Sequence, residues 1–172
     1  TLLLPKNKRP YVHALYGFAR YADEIVDDLA STLSPTEKAE ALRSWSSGVL
    51  ADLKEGRSSD HIGRALVDTA RKFDIPHQHF VDFLHSMEMD LTVTEYQTYD
   101  DLVEYVYGSA AVIGLEMVPI LGYSDDRAFD AAKKLGIAFQ LANFIRDVGE
   151  DLDRGRVYLP LQELAQFGVD RE

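Results

Sequence analysis

The sequence predicts an all-α protein, and three observations carry the prediction. Helix-start signals stand where helical patterns begin. The clearest is Ser34-Pro35-Thr36-Glu37, where a serine cap, a first-turn proline and a capping-box glutamate coincide. Several stretches are apolar on nearly every side, as helices in the middle of a bundle are. Hairpin signals, internal repeats, low-complexity tracts and a domain linker are missing from the 172 residues, a length that suits one domain with a substantial core.

The first helix is expected over residues 10–30. Pro35 opens a second, which runs to Lys54 and stops at Gly56 and the two serines behind it. A third covers 60–73. In "DIPHQHF", Asp74 and Pro76 open a fourth that reaches Leu91, and Thr92–Thr94 is the one plausible extended piece. Thr98 and Asp101 cap a fifth helix over 100–121, rich in small and apolar residues. A sixth covers 125–151, and a short last helix follows Pro160.

Composition narrows the function. Hydrophobic residues make up 46% and charged residues 27%, the balance of a soluble globular protein. The absence of cysteine excludes disulfides, Cys-ligated zinc and thiol catalysis, and suits a reducing cytoplasm. A net charge of -11, with Lys6, Lys8 and Arg9 as the only dense basic cluster, argues against nucleic acid as a partner. The longest apolar run, "AAVIGLEMVPILG", is interrupted by Glu116 and Pro119 and reads as too short to cross a bilayer. A cytoplasmic protein is expected, peripheral to a membrane at most and touching its surface transiently. The five histidines do not suggest a metal site: His77 and His79 do not share a helix face, and His13, His61 and His85 have no convincing ligand partner at helical spacing.

Two polar stripes carry the chemistry. In "YGFARYADEIVDD", Tyr16, Arg20, Asp23 and Asp27 fall within an arc of roughly 60° on a helix, between apolar neighbours such as Phe18, Ala22 and Val26. In "QLANFIRDVGED", Gln140, Asn143, Asp147 and Asp151 fall within roughly 80°, among Leu141, Phe144, Ile145 and Val148. An acidic stripe is ordinarily a solvated face, Asn143 could be a core amide, and Arg20 could simply pair with Asp23 or Asp27. Carboxylates one turn apart repel, and burying them unpaired is costly. A hard cation would relieve both problems, because Mg²⁺ takes oxygen ligands and is commonly shared between carboxylates and a phosphate. Arg20 and Arg146 then read as phosphate clamps. Gly149, a poor helix former, threatens to end the second helix before Asp151.

At these residues the chain resembles the squalene/phytoene synthase family, with the bacterial phytoene synthases as the most similar branch. The likeness rests on "LLPKNKRPYVHALYGFARYADEIVDD", "YVYGSAAVIG" and "QLANFIRDVGEDLDRGRVYLP". It implies an isoprenoid-synthase-type bundle around a central apolar cavity, with residues 1–172 forming a truncated part of a longer domain. Asp23 and Asp27 match the first Asp-rich motif, with Tyr16 and Arg20 on the same face. Gln140, Asn143, Arg146, Asp147 and Asp151 match the second. Tyr105 matches a tyrosine lining the reaction chamber, and Arg154 and Arg156 lie in the flap after the second motif. Mg²⁺, with Mn²⁺ as an alternative, is the implied cofactor, held by Asp23, Asp27, Asn143, Asp147 and Asp151. Ser109-Ala110-Ala111 departs from the Val-Ala-Gly common in the family.

The implied reaction is head-to-head condensation of two geranylgeranyl diphosphates through a cyclopropyl diphosphate, without NADPH. The rivals are a squalene or dehydrosqualene synthase using farnesyl diphosphate, perhaps with NADPH, a head-to-tail prenyltransferase or terpene cyclase, and a catalytically silent helical binding protein. The acidic motifs grip only the head group, so they do not separate chain lengths.

Overall fold

A computed structural model of the protein describes residues 2–27 and 32–169. Among them the chain forms α1 (Arg9–Asp27), α2 (Pro35–Glu55), α3 (His61–Lys72) and α4 (His77–Met89), then α5 (Tyr99–Val106) and α6 (Val112–Leu121) joined by a π-helical turn, Tyr107–Ala111. α7 (Arg127–Arg146), α8 (Val148–Asp153) and α9 (Leu161–Gln166) complete the order. The last residues expected in the first helix, 28–30, lie outside the described residues. In place of an extended segment at Thr92–Thr94 there is a single parallel bridge, Glu95 with Val157.

The two predicted capping boxes are present as geometry, whereas Asp74 does not cap α4, which follows Pro76 with no side-chain cap. Ser34 Oγ accepts from the Glu37 amide, and the Glu37 carboxylate accepts from the Ser34 amide at 2.8 Å. Thr98 and Asp101 repeat that exchange at the head of α5. Asp60 caps α3 by accepting from the Gly63 amide at 2.8 Å. Each cap satisfies amides that an α-helix leaves open at its start.

Two apolar clusters hold the fold and set the site between them. The first gathers Leu15, Phe18, Ala22 and Val26 of α1 with Leu42, Leu66, Phe80, Phe83, Val112 and Ile120. Phe18 is fully buried, with its ring stacked on Trp45 at 5.6 Å and edge-on to Phe80 at 5.6 Å. Burial of such a ring contributes about 2–3 kcal/mol. The second cluster centres on Tyr96, Leu102, Tyr105, Val106 and Phe144, with Tyr158 and Leu141 against it. α1 belongs to the first cluster and the end of α7 to the second, so their polar stripes face a common space.

The α5–α6 rod is where the bundle is tightest. At Gly108, in the π-helical turn, an added Cβ would lie 2.1 Å from the Asp82 carbonyl oxygen and from Ser86 Oγ. Only glycine lets α4 approach so closely. Ser86 Oγ donates to the Tyr105 carbonyl at 2.9 Å just ahead of that turn, tying the widened backbone to α4.

Three expectations are corrected. The sixth helix is not continuous: Asp147 leaves helical geometry at φ -99°, ψ 9°, separating α7 from α8. Asp147 and Gly149 are both poor helix formers, although Asp151 still donates to the Asp147 carbonyl at 2.9 Å. The run "AAVIGLEMVPILG" belongs to a longer helical stretch, Tyr99–Leu121, which is long and apolar enough to cross a membrane by length and composition; much of it is buried in the bundle. Finally, α7 is not enclosed: Leu135, Phe139 and Ile145 are 53%, 64% and 66% exposed, because no described residue covers that side.

Candidate active site

The two stripes meet across a cleft of about 420 Å³. From α1 come Tyr16, Arg20, Asp23 and Asp27, and from α7 come Gln140, Asn143 and Phe144. Asp147, Asp151, Arg154 and Arg156 enter from α8 and the segments flanking it, and Tyr105 stands behind them. Every residue expected at the site from sequence lines this cleft except Arg146.

Arg146 stands outside the cleft lining, beside it. Its guanidinium grips the neighbouring Asp147 carboxylate with two hydrogen bonds, at 2.7 and 2.6 Å, at an exposed position. That fork holds the Asp147 carboxyl below the usual carboxylate range. As the last residue of α7, Arg146 closes the helix rather than facing the cleft. Arg20 stays in the cleft but pairs within its own helix, with Asp23 at 2.9 Å and Glu24 at 3.1 Å. The helix carrying the first stripe is only half covered: Phe18 and Ala22 are buried, whereas Tyr16, on the cleft, is 67% exposed.

The acids are under electrostatic load. Burial, followed by the Asp27 charge one turn away, raises the Asp23 carboxyl. Burial and then Asp147 raise Asp151 in the same way. Two arginines offset this load from the segment after α8. Arg156 Nη2 donates to Asp27 Oδ1 at 3.2 Å, and Arg154 lies 4.0 Å from Asp27 while pairing with Glu150 at 2.5 Å. Arg154 also lowers the carboxyls of Asp23, Asp147 and Asp151 through its charge, so one cation serves both walls. Burial disfavours the Arg156 charge, yet Tyr158, Asp27 and Asp90 hold it, and its net shift is upward.

Sequence reasoning missed Asp90 and Tyr158. Asp90 follows α4 and accepts from the Tyr105 hydroxyl at 2.8 Å and the Tyr158 hydroxyl at 3.1 Å. Burial pushes its carboxyl up to about 6. Tyr158 stacks on Phe144 at 4.3 Å and packs near Tyr105 at 5.6 Å. Asp90 has no charged residue one helical turn away on either side, so no acidic or basic stripe marks it. Tyr158 stood inside the quoted "GRVYLP", where it could have been considered.

The donor set suits a hard cation: four carboxylates and the Asn143 carboxamide, all oxygen donors on one cleft. Among the described residues no three acidic or histidine side chains form a ready-made metal cage. Any ion there would take part of its coordination from water or from a ligand's oxygens. Beside the cleft, and sharing Ser109 and Gln140 with it, an apolar groove of about 490 Å³ runs between α6 and α7, lined by Ile113, Met117, Leu135 and Phe139.

Comparison with known proteins gives the family and the fold. The family profile described as squalene/phytoene synthase matches residues 1–172. Phytoene synthase 2, chloroplastic, of Zea mays is 44% identical over the whole chain, which spans 43% of that protein. Phytoene synthase 1, chloroplastic, of Arabidopsis thaliana is 42% identical, with 41% of its length spanned. These relatives are plant proteins and do not carry the expected likeness to the bacterial branch. The crystal structure of squalene synthase HpnC from Alicyclobacillus acidocaldarius superposes with a TM-score of 0.86 at 28% identity, over 98% of this chain and 62% of that one. A dehydrosqualene synthase solved in complex with ligand gives 0.84 at 36% identity, over 97% and 56%. The chain thus spans about two fifths of the length of the plant relatives. With residues 1–172 matched by the family profile, the chain belongs to the squalene/phytoene synthase family.

Proposed function

We propose that this chain supplies the diphosphate-binding half of a head-to-head prenyltransferase that condenses two geranylgeranyl diphosphates, through a cyclopropyl diphosphate, into phytoene with release of diphosphate. One observation carries the reading: Asp23 and Asp27 on one wall and Asp147 and Asp151 on the other line a single cleft, with arginines between them.

In this reading Asp23, Asp27, Asn143, Asp147 and Asp151 hold Mg²⁺, or Mn²⁺ in its place, and the bound cation supplies charge neutralisation for the departing diphosphate. Arg20, Arg154 and Arg156 offer guanidinium donors to phosphate oxygens. Gln140 stands where the polar cleft passes into the apolar groove, so it orients the junction of head group and tail. Once the allylic cation forms, the ring faces of Tyr105, Tyr158 and Phe144 stabilise positive charge. Phe83, Met87 and Ala19 line the cleft with apolar surface and limit the water that would trap the cation. The groove between α6 and α7 receives the prenyl chain. The apolar product favours transient contact of a cytoplasmic enzyme with a membrane surface.

A second reading, condensation of farnesyl diphosphate, is favoured by the fold likeness to squalene and dehydrosqualene synthases. Incubating the intact protein with each diphosphate, with and without NADPH, and identifying the hydrocarbon separates the two. The first reading expects phytoene from the C20 substrate with no need of NADPH. In the same assay Asp23→Ala and Asp147→Ala should each lower turnover at least about 100-fold. Wild-type turnover in both variants would remove the site assignment.

A further inference from the structure

The cleft contains one acid for which neither stripe has a use. Asp90 sits at the end of α4, not on α1 or α7, and spends its acceptor oxygens on side chains brought from far along the chain. Its Oδ2 accepts from the Tyr105 hydroxyl at 2.8 Å, and its Oδ1 accepts from the Tyr158 hydroxyl at 3.1 Å. Its main-chain carbonyl accepts from Arg156 Nη2 at 3.0 Å, and that same nitrogen donates to Asp27 Oδ1 at 3.2 Å. Arg156 Nη1 completes the ring of contacts by donating to the Tyr158 hydroxyl at 3.3 Å.

Tyr105 is therefore tied to the end of α4 at both extremities. Its hydroxyl is held by Asp90 and its carbonyl by Ser86 Oγ at 2.9 Å, while the Asp90 amide donates to the Ser86 carbonyl at 3.2 Å. Tyr158 lies on a loop with little regular structure of its own, between the bridge at Val157 and Pro160. Two contacts set its ring plane: stacking on Phe144 at 4.3 Å and 6°, and the hydroxyl bond to Asp90. Tyr105 and Tyr158 stand 5.6 Å apart, and Tyr105 and Phe144 stand 6.3 Å apart. All three rings line the cleft.

We infer that Asp90 is a positioning residue: its carboxylate fixes the Tyr105–Tyr158–Phe144 ring wall, and its carbonyl fixes the Arg156 guanidinium against Asp27, so that one loop residue sets both the aromatic and the charged side of the cleft. The inference rests on the reading above, in which a carbocation passes that wall. A phenol that donates to a carboxylate is held in one rotamer and gains electron density in its ring. Both effects serve a cation above the ring face. Asp90 itself needs no contact with the reacting carbon atoms.

The test uses the intact protein with Asp90→Ala and Asp90→Asn, the second keeping size and one acceptor oxygen in case the alanine variant does not fold. Near-ultraviolet circular dichroism of the tyrosine bands reads the ring wall without any turnover. Steady-state kinetics and product analysis read its use. For Asp90→Ala we expect weaker tyrosine bands, a fall in kcat of about 100-fold, and affinity for an unreactive prenyl thiodiphosphate with Mg²⁺ within about threefold of wild type. The hydrocarbon gives way in part to the water-trapped prenyl alcohol, and Asp90→Asn recovers part of the loss. In a Tyr105→Phe/Tyr158→Phe background, removing Asp90 costs much less, because the hydroxyls it holds are gone.

Unchanged tyrosine bands with an unchanged product ratio would overturn the inference. A loss of analogue affinity matching the loss of kcat would overturn it too, by making Asp90 part of head-group binding. A wild-type protein that makes no hydrocarbon from any prenyl diphosphate would instead sink the functional reading, and the dichroism would still decide the role of Asp90 in the ring wall.

Discussion

Arg156 is the side chain on which the two sides of the cleft converge, since one guanidinium serves Asp27, the Asp90 carbonyl and the Tyr158 hydroxyl. Arg156→Lys keeps the charge but lacks the planar fork that reaches three acceptors at once. We expect it to lower kcat/KM about tenfold or more; equal kcat/KM in the two proteins would show that charge alone suffices. Glu116 presents the opposite case. It is fully buried, neither carboxylate oxygen has a partner, and burial pushes its carboxyl from 4.5 up to about 8. The folded chain accommodates the protonated form, so the contribution of Glu116 to stability is complete below about pH 4.5 and declines as the pH rises to about 8. Glu116→Gln should remove that slope and melt at a higher temperature than wild type at pH 8, with the gap closing toward pH 5. Parallel melting curves across this range would contradict the burial argument. At this scale the sequence revealed the residues that repeat: spacing puts Asp23 with Asp27, and Asp147 with Asp151, on one face of their own helices, and the resemblance to the family joins the two pairs. Asp90 and Tyr158 are single residues whose partners arrive through tertiary packing. Arg146 falls outside the cleft lining because α7 ends at that residue and its side chain turns to Asp147.

Helices that begin with a local chemical signal were legible, and those shaped by a neighbour were not. Ser34 and Thr98 cap α2 and α5 through bonds spanning three residues, a range that sequence alone can resolve. Ser34→Ala should cost about 1 kcal/mol, measured by chemical denaturation; no loss would mean that the turn before α2 supplies another acceptor. The π-helical turn at Tyr107–Ala111 depends on Asp82 and Ser86 of α4 pressing against Gly108, a contact between elements that no periodicity records. Gly108→Ala would force a methyl into the Asp82 carbonyl, so we expect a loss of about 3 kcal/mol or failure to fold. A stable, fully active Gly108→Ala would show that the α4 approach is looser than the geometry gives. The break at Asp147 belongs to the same class. The weak helix formers were visible, but the position of the break was not.

Over the whole molecule, two apolar clusters bring a polar stripe from each end of the chain to one cleft, which opens beside an apolar groove along α6 and α7. The all-α architecture was readable because helical spacing runs through nearly all of the sequence. The open face of α7 was not, because enclosure depends on what lies across from a helix rather than on the helix itself. The solved relatives extend well past the region this chain matches, and Leu135 and Phe139 stand exposed on the groove. The central claim is that the two acidic walls act together on one diphosphate. Its most direct test is a crystal structure of the intact protein soaked with Mg²⁺ and an unreactive prenyl thiodiphosphate. The account predicts diphosphate and cation density between Asp23/Asp27 and Asp147/Asp151, with the prenyl chain entering the groove past Gln140. A diphosphate bound away from both acidic walls, or one that binds there equally well without divalent cation, would contradict it.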